Sequence, residues 1–275
     1  MTINLAENYG FCFGVKRAIE IAENTVGSST YGPLIHNSKE INRLQTDFNV
    51  SLQDNIKAFK ADDKVVIRTH GIEKQELKYL QDKNVDIIDA TCPYVTKPQE
   101  IVEEMSAKGY DIVIFGDAEH PEIKGVMSYS QGRVFVVLNQ EELEGLALKS
   151  KIAVVAQTTR KIENYLQLIN YLITNYKEVR VFNTICNATF ENQDAARDLA
   201  QKSDVMIVIG GKNSSNTKQL LSIAKEYCAD AYLIEGPEEL ETQWFEGKKA
   251  CGITAGASTP NWVILQIKDK IASFT

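Results

Sequence analysis

The stretch VDIIDATCPYVTKPQEIVEEMSAKG, residues 85–109, joins an apolar strand-like run to an amphipathic helical pattern through Cys92. The same order of parts occurs twice more. INLAENYGFC precedes GVKRAIEIAEN at Cys12, and VRVFNTIC precedes ATFENQDAARDLAQKS at Cys186. These patterns predict three strand-to-helix corners of one kind, each with a thiol at the start of a helix.

Apolar runs alternate with amphipathic helical patterns along the whole 275-residue chain, which is typical of an α/β fold with mostly parallel sheets. Most predicted strands are nearly continuous apolar runs, as expected when both faces of a sheet are covered. The predicted strands are Thr30–Ile35, Lys64–Arg68, Asp86–Asp89, Asp111–Phe115, Val134–Leu138, Ile152–Ala156, Val179–Phe182, Asp204–Ile209 and Cys251–Thr254.

The repeated order predicts three pseudo-repeated α/β domains. They cover residues 10–92, 93–183 and 184–275, and an N-terminal strand at 1–9 joins the third. The functional residue types fall at the carboxyl ends of strands, which is the edge where open α/β sheets bind ligands. If the three domains face one another around a pseudo-threefold axis, these ends meet at one central cavity.

Composition excludes several classes of function. The formal net charge of −7 argues against a broad surface for nucleic acid or anionic membrane. No apolar run approaches the length of a membrane span, and the start MTINLAEN lacks the pattern of a signal peptide. We expect a cytoplasmic monomer with neither nucleic acid nor membrane as a partner.

The five cysteines divide into two groups. An odd number without a secretion signal argues against a disulfide framework. Any one cysteine alone is more often a small buried apolar residue, but matching positions favour a shared role for Cys12, Cys92 and Cys186. Three widely spaced thiolates without a CxxC pair suit a [4Fe–4S] cluster with one open iron better than structural zinc. Cys228 and Cys251 match nothing in the other units, so we assign both to packing.

All three histidines of the chain, His36, His70 and His120, follow predicted strands. A single histidine is more often a surface or core residue. Three at the same edge instead suggest N–H donors for a phosphate and a supply of protons.

The segment VIGGKNSSNTKQLLSIAKEY places Ser214, Ser215 and Asn216 at the start of a helical pattern. Hydroxyl, amide and backbone N–H groups at a helix N-terminus form an anion site without needing positive charge. Ser258 in TAGASTP has a similar setting. The alternative is a plain N-cap, and neither segment is a Walker loop.

Glu122 stands two residues after His120, across a proline. Inside a closed anion-binding pocket, burial would raise the pKa of this carboxyl and make it an acid. The alternative is a solvated loop glutamate. Thr158 and Thr159 in AQTTR are candidates for orienting a hydroxyl or a water, although a Thr-Thr pair alone is weak support.

Eight ordered motifs resemble the 4-hydroxy-3-methylbut-2-enyl diphosphate reductase family, which performs the last step of the non-mevalonate isoprenoid pathway. They are GFCFGV, THG, DATCP, HPE, QTT, TICNAT, KNSSN and TAGAS, and the resemblance runs from about residue 3 to 265. It implies a trefoil of three α/β domains around a central cavity with a [4Fe–4S] cluster held by Cys12, Cys92 and Cys186.

The resemblance also implies roles for the remaining candidates. Glu122 would be the proton source, acting with Thr158 and His120, and Thr189 would lie nearby. The residues expected to bind the substrate are His36, His70, His120, Thr158, Ser214, Ser215, Asn216 and Ser258. Two positions depart from the family pattern, since Phe13 stands where alanine is common and Asn192 stands where an arginine is expected.

The implied activity is reductive dehydroxylation of the allylic diphosphate to isopentenyl and dimethylallyl diphosphate. It uses two external electrons and two protons at the cluster. No flavin or dinucleotide fingerprint is present, so a ferredoxin or flavodoxin is the expected donor. The alternative is a non-catalytic iron–sulfur sensor that binds a phosphorylated metabolite. Glu122 favours the enzyme, because a sensor needs no proton donor.

Overall fold

The computed structural model describes residues 1–274, in which twelve strands alternate with ten α-helices and three short 3-10 turns. The strands are β1 (Thr2–Leu5), β2 (Ser29–Tyr31), β3 (Ser51–Gln53), β4 (Lys64–Ile67), β5 (Asp86–Asp89), β6 (Asp111–Phe115), β7 (Val134–Val137), β8 (Lys151–Ala156), β9 (Glu178–Val181), β10 (Val205–Ile209), β11 (Ala231–Ile234) and β12 (Ala250–Ala255). The helices are α1 (Phe13–Glu23), α2 (Ser38–Phe48), α3 (Lys74–Asp82), α4 (Pro93–Ala107), α5 (Pro121–Met127), α6 (Gln140–Glu144), α7 (Ile162–Asn175), α8 (Asn187–Ala200), α9 (Ser215–Tyr227) and α10 (Asn261–Ala272).

These strands form three four-stranded sheets, ordered β1-β12-β10-β11, β3-β2-β4-β5 and β7-β6-β8-β9. Within the described residues every strand pair is parallel. Each sheet has an edge strand (β1, β5 or β9) that leads toward one of the three predicted corner cysteines. The predicted α/β class, with three pseudo-repeated parallel sheets, is confirmed.

Several strand boundaries differ from the prediction. β2 ends at Tyr31 instead of Ile35, because Gly32 turns the chain with φ near +70°. The edge strands β3 and β11 were not predicted. β3 is only three residues long, partly polar and nowhere fully buried, so it lacks the continuous apolar run of a strand covered on both faces.

Cα packing divides the chain into two compact units. The first contains Met1–Lys16, Ile35–Arg43 and the chain from Asn187 onward, with the sheet β1-β12-β10-β11. Its central strand β10 is buried along its whole length. Ile207 packs in a cluster with α10, and Val208 on the opposite face packs in a cluster with α8 and α9. This double-sided burial is why the sequence VMIVI lacks the alternation of a half-exposed strand.

The second compact unit contains Arg17–Leu34 and Leu44–Cys186 and holds the other two sheets. β6 is completely buried there. Tyr165 of α7 supports the sheet edge, because its hydroxyl donates to the carbonyls of Val154 (3.1 Å) and Phe182 (3.0 Å). These bonds hold β8 beside the segment that leads to Cys186.

The predicted domain boundaries and the predicted trefoil stay predictions. No helix within residues 1–274 combines the length and the apolarity that crossing a bilayer requires.

Candidate functional site

The three predicted corner cysteines all lie at helix N-termini. Cys12 directly precedes α1, Cys186 directly precedes α8, and Cys92 is the N-cap of α4. All three are half-buried, whereas Cys228 and Cys251 are buried. At each corner the thiol lies at the positive end of a helix dipole, which attracts anionic groups.

One backbone hydrogen bond recurs at all three corners. The cysteine N–H donates to a carbonyl just beyond the neighbouring strand of the same sheet. The pairs are Cys12 with Ala257 (3.2 Å), Cys92 with Thr69 (3.0 Å) and Cys186 with Thr158 (3.0 Å). The corners are therefore equivalent in hydrogen bonding as well as in spacing.

The same register places Thr159 in a position that the sequence pattern does not reveal. The residue after the acceptor carbonyl is Ser258 in one sheet, His70 in another and Thr159 in the third. Thr159 is therefore the positional counterpart of His70 and Ser258. The Thr159 hydroxyl accepts a hydrogen bond from the Gln157 side-chain amide at 3.2 Å, so its rotamer is held. The position of Thr159 can be recognised only from the pairing of each cysteine N–H with its carbonyl.

The Cys92 corner has further support from Arg17 of α1. The Arg17 guanidinium donates to the carbonyls of Asp89 and Thr91, each at 3.2 Å. The Asp89 carboxylate also accepts the N–H of Thr91 at 2.8 Å. The segment that leads to Cys92 is thus held by the side chains of Arg17 and Asp89.

Glu122 and Thr158 form a buried pair in the second compact unit. The Thr158 N–H donates to Glu122 Oε1 at 2.7 Å, and the Thr158 hydroxyl lies 2.6 Å from Glu122 Oε2. Glu122 is 2% exposed and Thr158 is 7% exposed. The geometry fixes both carboxyl oxygens against one residue at the carboxyl end of β8.

Burial raises the pKa of the Glu122 carboxyl above its ordinary value. The hydrogen bonds from Thr158 and the nearby charge of Arg160 act in the opposite direction, but burial is the largest effect. Glu122 can therefore keep its proton at a pH where an exposed glutamate is ionised, which is the property that a proton donor needs.

His120 and His70 lie beside one another in the same unit. His120 is the N-cap of α5, and its Nδ1 accepts the N–H of Glu122 at 3.2 Å. The neutral ring consequently carries its proton on Nε2 and offers that N–H as a donor. The His70 and His120 ring centroids are 5.7 Å apart with an edge-to-face angle of 78°.

His36 and Ser258 lie together in the first compact unit. The Ser258 hydroxyl donates to the His36 carbonyl at 3.3 Å. Gly211 packs against the same carbonyl so closely that a Cβ would collide with it. The segment after β10, the segment after β12 and the His36 backbone therefore meet at one place.

The N-terminus of α9 belongs to that same cluster. Ser214 is the N-cap and accepts the N–H of Thr217 at 3.3 Å, and Ser215 and Asn216 begin the helix. Asn216 is 6% exposed, yet neither its amide oxygen nor its amide nitrogen has a hydrogen-bond partner within residues 1–274. Because buried polar groups are almost always paired, this amide is a candidate for contact with a bound ligand.

Three further residues singled out by the family resemblance are Thr189, Asn192 and Phe13. Thr189 is buried in α8 at 4% exposure. Asn192 is buried in the same helix, and Phe13 is 65% exposed. The bulk of Phe13 is thus accommodated at the surface and needs no space in the core.

The three predicted cluster ligands are divided between the two compact units, with Cys12 in the first and Cys92 and Cys186 in the second. In the part of the chain described, no three His, Cys, Asp or Glu side chains form a group that could hold a metal ion. The donor chemistry still fits an iron–sulfur cluster, because each thiol is half-buried at a helix N-terminus with the same backbone anchor. Ligation by these three thiols stays a prediction.

Replacing Cys228 or Cys251 with alanine is expected to leave iron content and visible absorption unchanged. Burial raises the pKa of Cys228 and raises that of Cys251 to about 12, so we expect both thiols to stay protonated and to hold no iron. Iron analysis of each purified variant checks this. A loss of iron from either variant would show that the cysteines were sorted incorrectly.

Comparison with known proteins agrees with these features. A sequence model of the LytB protein family matches residues 3–272. The 4-hydroxy-3-methylbut-2-enyl diphosphate reductase of a Nitratiruptor species is 64% identical over 271 residues, which cover 98% of this chain and 98% of that protein. The reductase of the same name from Campylobacter curvus is 61% identical over 274 residues, covering 100% of both chains.

Solved structures give the same result. A structure of (E)-4-hydroxy-3-methyl-but-2-enyl diphosphate reductase, described as the terminal enzyme of the non-mevalonate pathway, is 41% identical with a TM-score of 0.72. It covers 99% of this chain and 100% of its own. The E-1-hydroxy-2-methyl-but-2-enyl-4-diphosphate reductase from Plasmodium falciparum is 25% identical with a TM-score of 0.92, covering 97% of this chain and 86% of its own. The chain belongs to the LytB protein family.

Proposed function

We propose that this chain reduces 4-hydroxy-3-methylbut-2-enyl diphosphate to isopentenyl and dimethylallyl diphosphate. The allylic carbon–oxygen bond breaks, the oxygen leaves as water, and two electrons and two protons are consumed. The observation that carries the proposal is the buried Glu122–Thr158 pair. Burial raises the pKa of the Glu122 carboxyl, and a carboxyl that keeps its proton to a higher pH is suited to act as an acid.

The pair can pass a proton toward a substrate oxygen. When Glu122 is ionised, its oxygens accept both the N–H and the O–H of Thr158. When Glu122 is protonated, its O–H can donate to the Thr158 oxygen, and the Thr158 proton then turns toward the substrate. Loss of the substrate hydroxyl as water would draw the proton along this path.

The diphosphate contacts are hydrogen-bond donors, as an anion requires. His120 presents its Nε2–H, because Nδ1 already accepts from Glu122. Asn216 offers its side-chain amide N–H groups at the start of α9, where the helix dipole favours negative charge. The full proposed set is His36, His70, His120, Thr158, Ser214, Ser215, Asn216 and Ser258, to which the register adds Thr159.

Cys12, Cys92 and Cys186 are the residues that would hold a [4Fe–4S] cluster. When bound, such a cluster supplies electrons one at a time and a Lewis-acidic iron. We further propose that the enzyme is a cytoplasmic monomer and takes its electrons from a ferredoxin or flavodoxin. The sequence supports an external donor because it has no flavin or dinucleotide fingerprint.

An anaerobic product assay distinguishes the enzyme from the iron–sulfur sensor. Purified protein with reconstituted iron and sulfide is mixed with a small-molecule reductant and the hydroxymethylbutenyl diphosphate. The reductase produces both five-carbon diphosphates in many turnovers. A cluster-loaded preparation that binds the substrate without product would support the sensor and contradict the reductase.

Asn216→Asp is expected to raise the apparent KM for the diphosphate substrate by about 10- to 100-fold, with a smaller change in kcat. The carboxylate has the same shape but cannot donate, and it repels the diphosphate; a hydrogen bond to a charged group contributes about 1.5–3 kcal/mol. Steady-state kinetics measures the effect. Asn213→Ala, in the same loop but exposed, is the control and keeps the wild-type KM. A normal KM for Asn216→Asp would remove Asn216 from the binding site.

A further inference from the structure

Arg68 closes the turn that carries His70. The Arg68 Nε–H donates to the Gly71 carbonyl at 3.0 Å, and the Gly71 N–H donates to the Arg68 carbonyl at 3.0 Å. Arg68 and Gly71 are therefore linked by two hydrogen bonds, one between backbone groups and one from the Arg68 side chain. Gly71 adopts φ of +71°, which lets the chain reverse at this point.

The guanidinium of Arg68 is itself held in place. Gly32 lies against it, and a Cβ at Gly32 would collide with the guanidinium nitrogen. Glu76 attracts its charge and also accepts a hydrogen bond from the Tyr31 hydroxyl at 2.6 Å. Glu76 in turn belongs to the capping box of α3. Arg68 is thus fixed against β2 and α3, and it is not a mobile surface side chain.

The turn closed by Arg68 also faces the helix that carries Glu122. A Cβ added at Gly125 of α5 would lie 3.7 Å from the His70 carbonyl, so the turn and α5 are closely packed. The His70 and His120 rings meet edge to face at 5.7 Å. A shift of the turn would therefore move the His70 ring relative to His120.

We propose that Arg68 is a positioning residue for His70, holding the imidazole in the orientation that binds the substrate diphosphate. The inference rests on the proposed function, because it takes His70 as a diphosphate contact. Arg68 does not touch the substrate and acts only through the turn from 68 to 71.

A double-mutant cycle tests the proposal, with inorganic diphosphate as the probe and cluster-loaded protein under anaerobic conditions. Arg68→Met removes the side-chain donor and is expected to weaken diphosphate binding by about 5- to 10-fold. His70→Ala is expected to weaken binding at least as much. In the His70→Ala background, Arg68→Met is expected to cause no further loss, because the group it positions is absent.

Each outcome is informative. Additive losses would overturn the positioning role of Arg68 while leaving His70 as a contact. Normal binding by Arg68→Met would overturn it as well. Normal binding by His70→Ala would overturn both this inference and the role of His70, whereas failure of the reductase proposal would appear separately as absence of product from the wild-type protein.

Two further variants serve as a control and as a substitute for a variant that does not fold. Arg197→Met removes a partly exposed arginine that pairs with Asp194, and it is expected to bind diphosphate normally. If Arg68→Met does not fold, Arg68→Lys replaces it, because lysine keeps the charge but has no donor at the Nε position. Arg68→Lys is then expected to show the same loss in the wild-type background and none in the His70→Ala background.

Discussion

The Glu122→Gln protein is expected to lose about 10²- to 10⁴-fold in kcat while keeping its iron and its affinity for the substrate. Glutamine has the shape of the carboxyl group. Its oxygen can accept the Thr158 N–H, and its amide can donate to the Thr158 hydroxyl oxygen, so the buried pair survives. What it lacks is a proton to give to the departing oxygen. Anaerobic kcat and inorganic diphosphate affinity, measured side by side, check both halves of this result.

The pH dependence of kcat is a second test of the role of Glu122. If protonated Glu122 is the active form, as proposed, kcat of the wild-type protein should fall as pH rises through the pKa of this carboxyl. Because burial raises that pKa, the fall should lie above the range of an ordinary glutamate. The residual activity of Glu122→Gln should lack this limb, since the amide does not titrate.

Glu119→Gln is the matched control for Glu122→Gln. Glu119 lies three residues earlier, its side chain is 85% exposed, and it pairs with Lys124. Its neutralisation should leave kcat and the pH profile unchanged. Wild-type turnover by Glu122→Gln, or an equal loss in Glu119→Gln, would contradict the role of Glu122 as proton donor.

Cys92→Ser is the second substitution with a very large expected effect. It should remove most of the bound iron and reduce turnover below detection, because a serine hydroxyl does not ionise near neutral pH and is a poor ligand for iron. Serine is nearly isosteric. The backbone bond to Thr69 and the start of α4 should therefore persist, and circular dichroism should match the wild type.

The same substitution at Cys12 and at Cys186 should give the same loss of iron, because the three corners share one backbone arrangement. Iron per chain and visible absorption are the measurements. Cys251→Ser provides the control, since this thiol is fully buried and stays protonated. Full iron retention in any of the three corner variants would remove that cysteine from the cluster.

Much of the fold is predictable from sequence because apolar runs and helix-capping residues are both local patterns. Strands covered on both faces, such as β6 and β10, must be apolar throughout, and helices must start at a suitable cap. The strands that were missed or given wrong ends are those without a continuous apolar run or a clear end in the sequence. β3 is a short, partly polar edge strand, and the end of β2 depends on a glycine with positive φ.

The sequence predicts which residues belong to the candidate site, but it does not predict which hydrogen bonds they form. The corner cysteines and the three histidines stand beside strands and can be found by spacing. Recognising Thr159 as the counterpart of His70 and Ser258 requires the pairing of each cysteine N–H with a carbonyl on a neighbouring strand. The bond from Arg68 to Gly71 likewise depends on the rotamer of a half-buried side chain, which no sequence pattern specifies.

The reductase activity is tested by the stoichiometry of electrons and products in one anaerobic reaction. Reduced one-electron donor and hydroxymethylbutenyl diphosphate are supplied in known amounts to the cluster-loaded wild-type protein, and donor oxidation and both five-carbon diphosphates are quantified together. We expect two electrons to be consumed for each substrate molecule lost, and the two products together to equal the substrate lost. Substrate binding with no donor oxidation and no product would contradict the account.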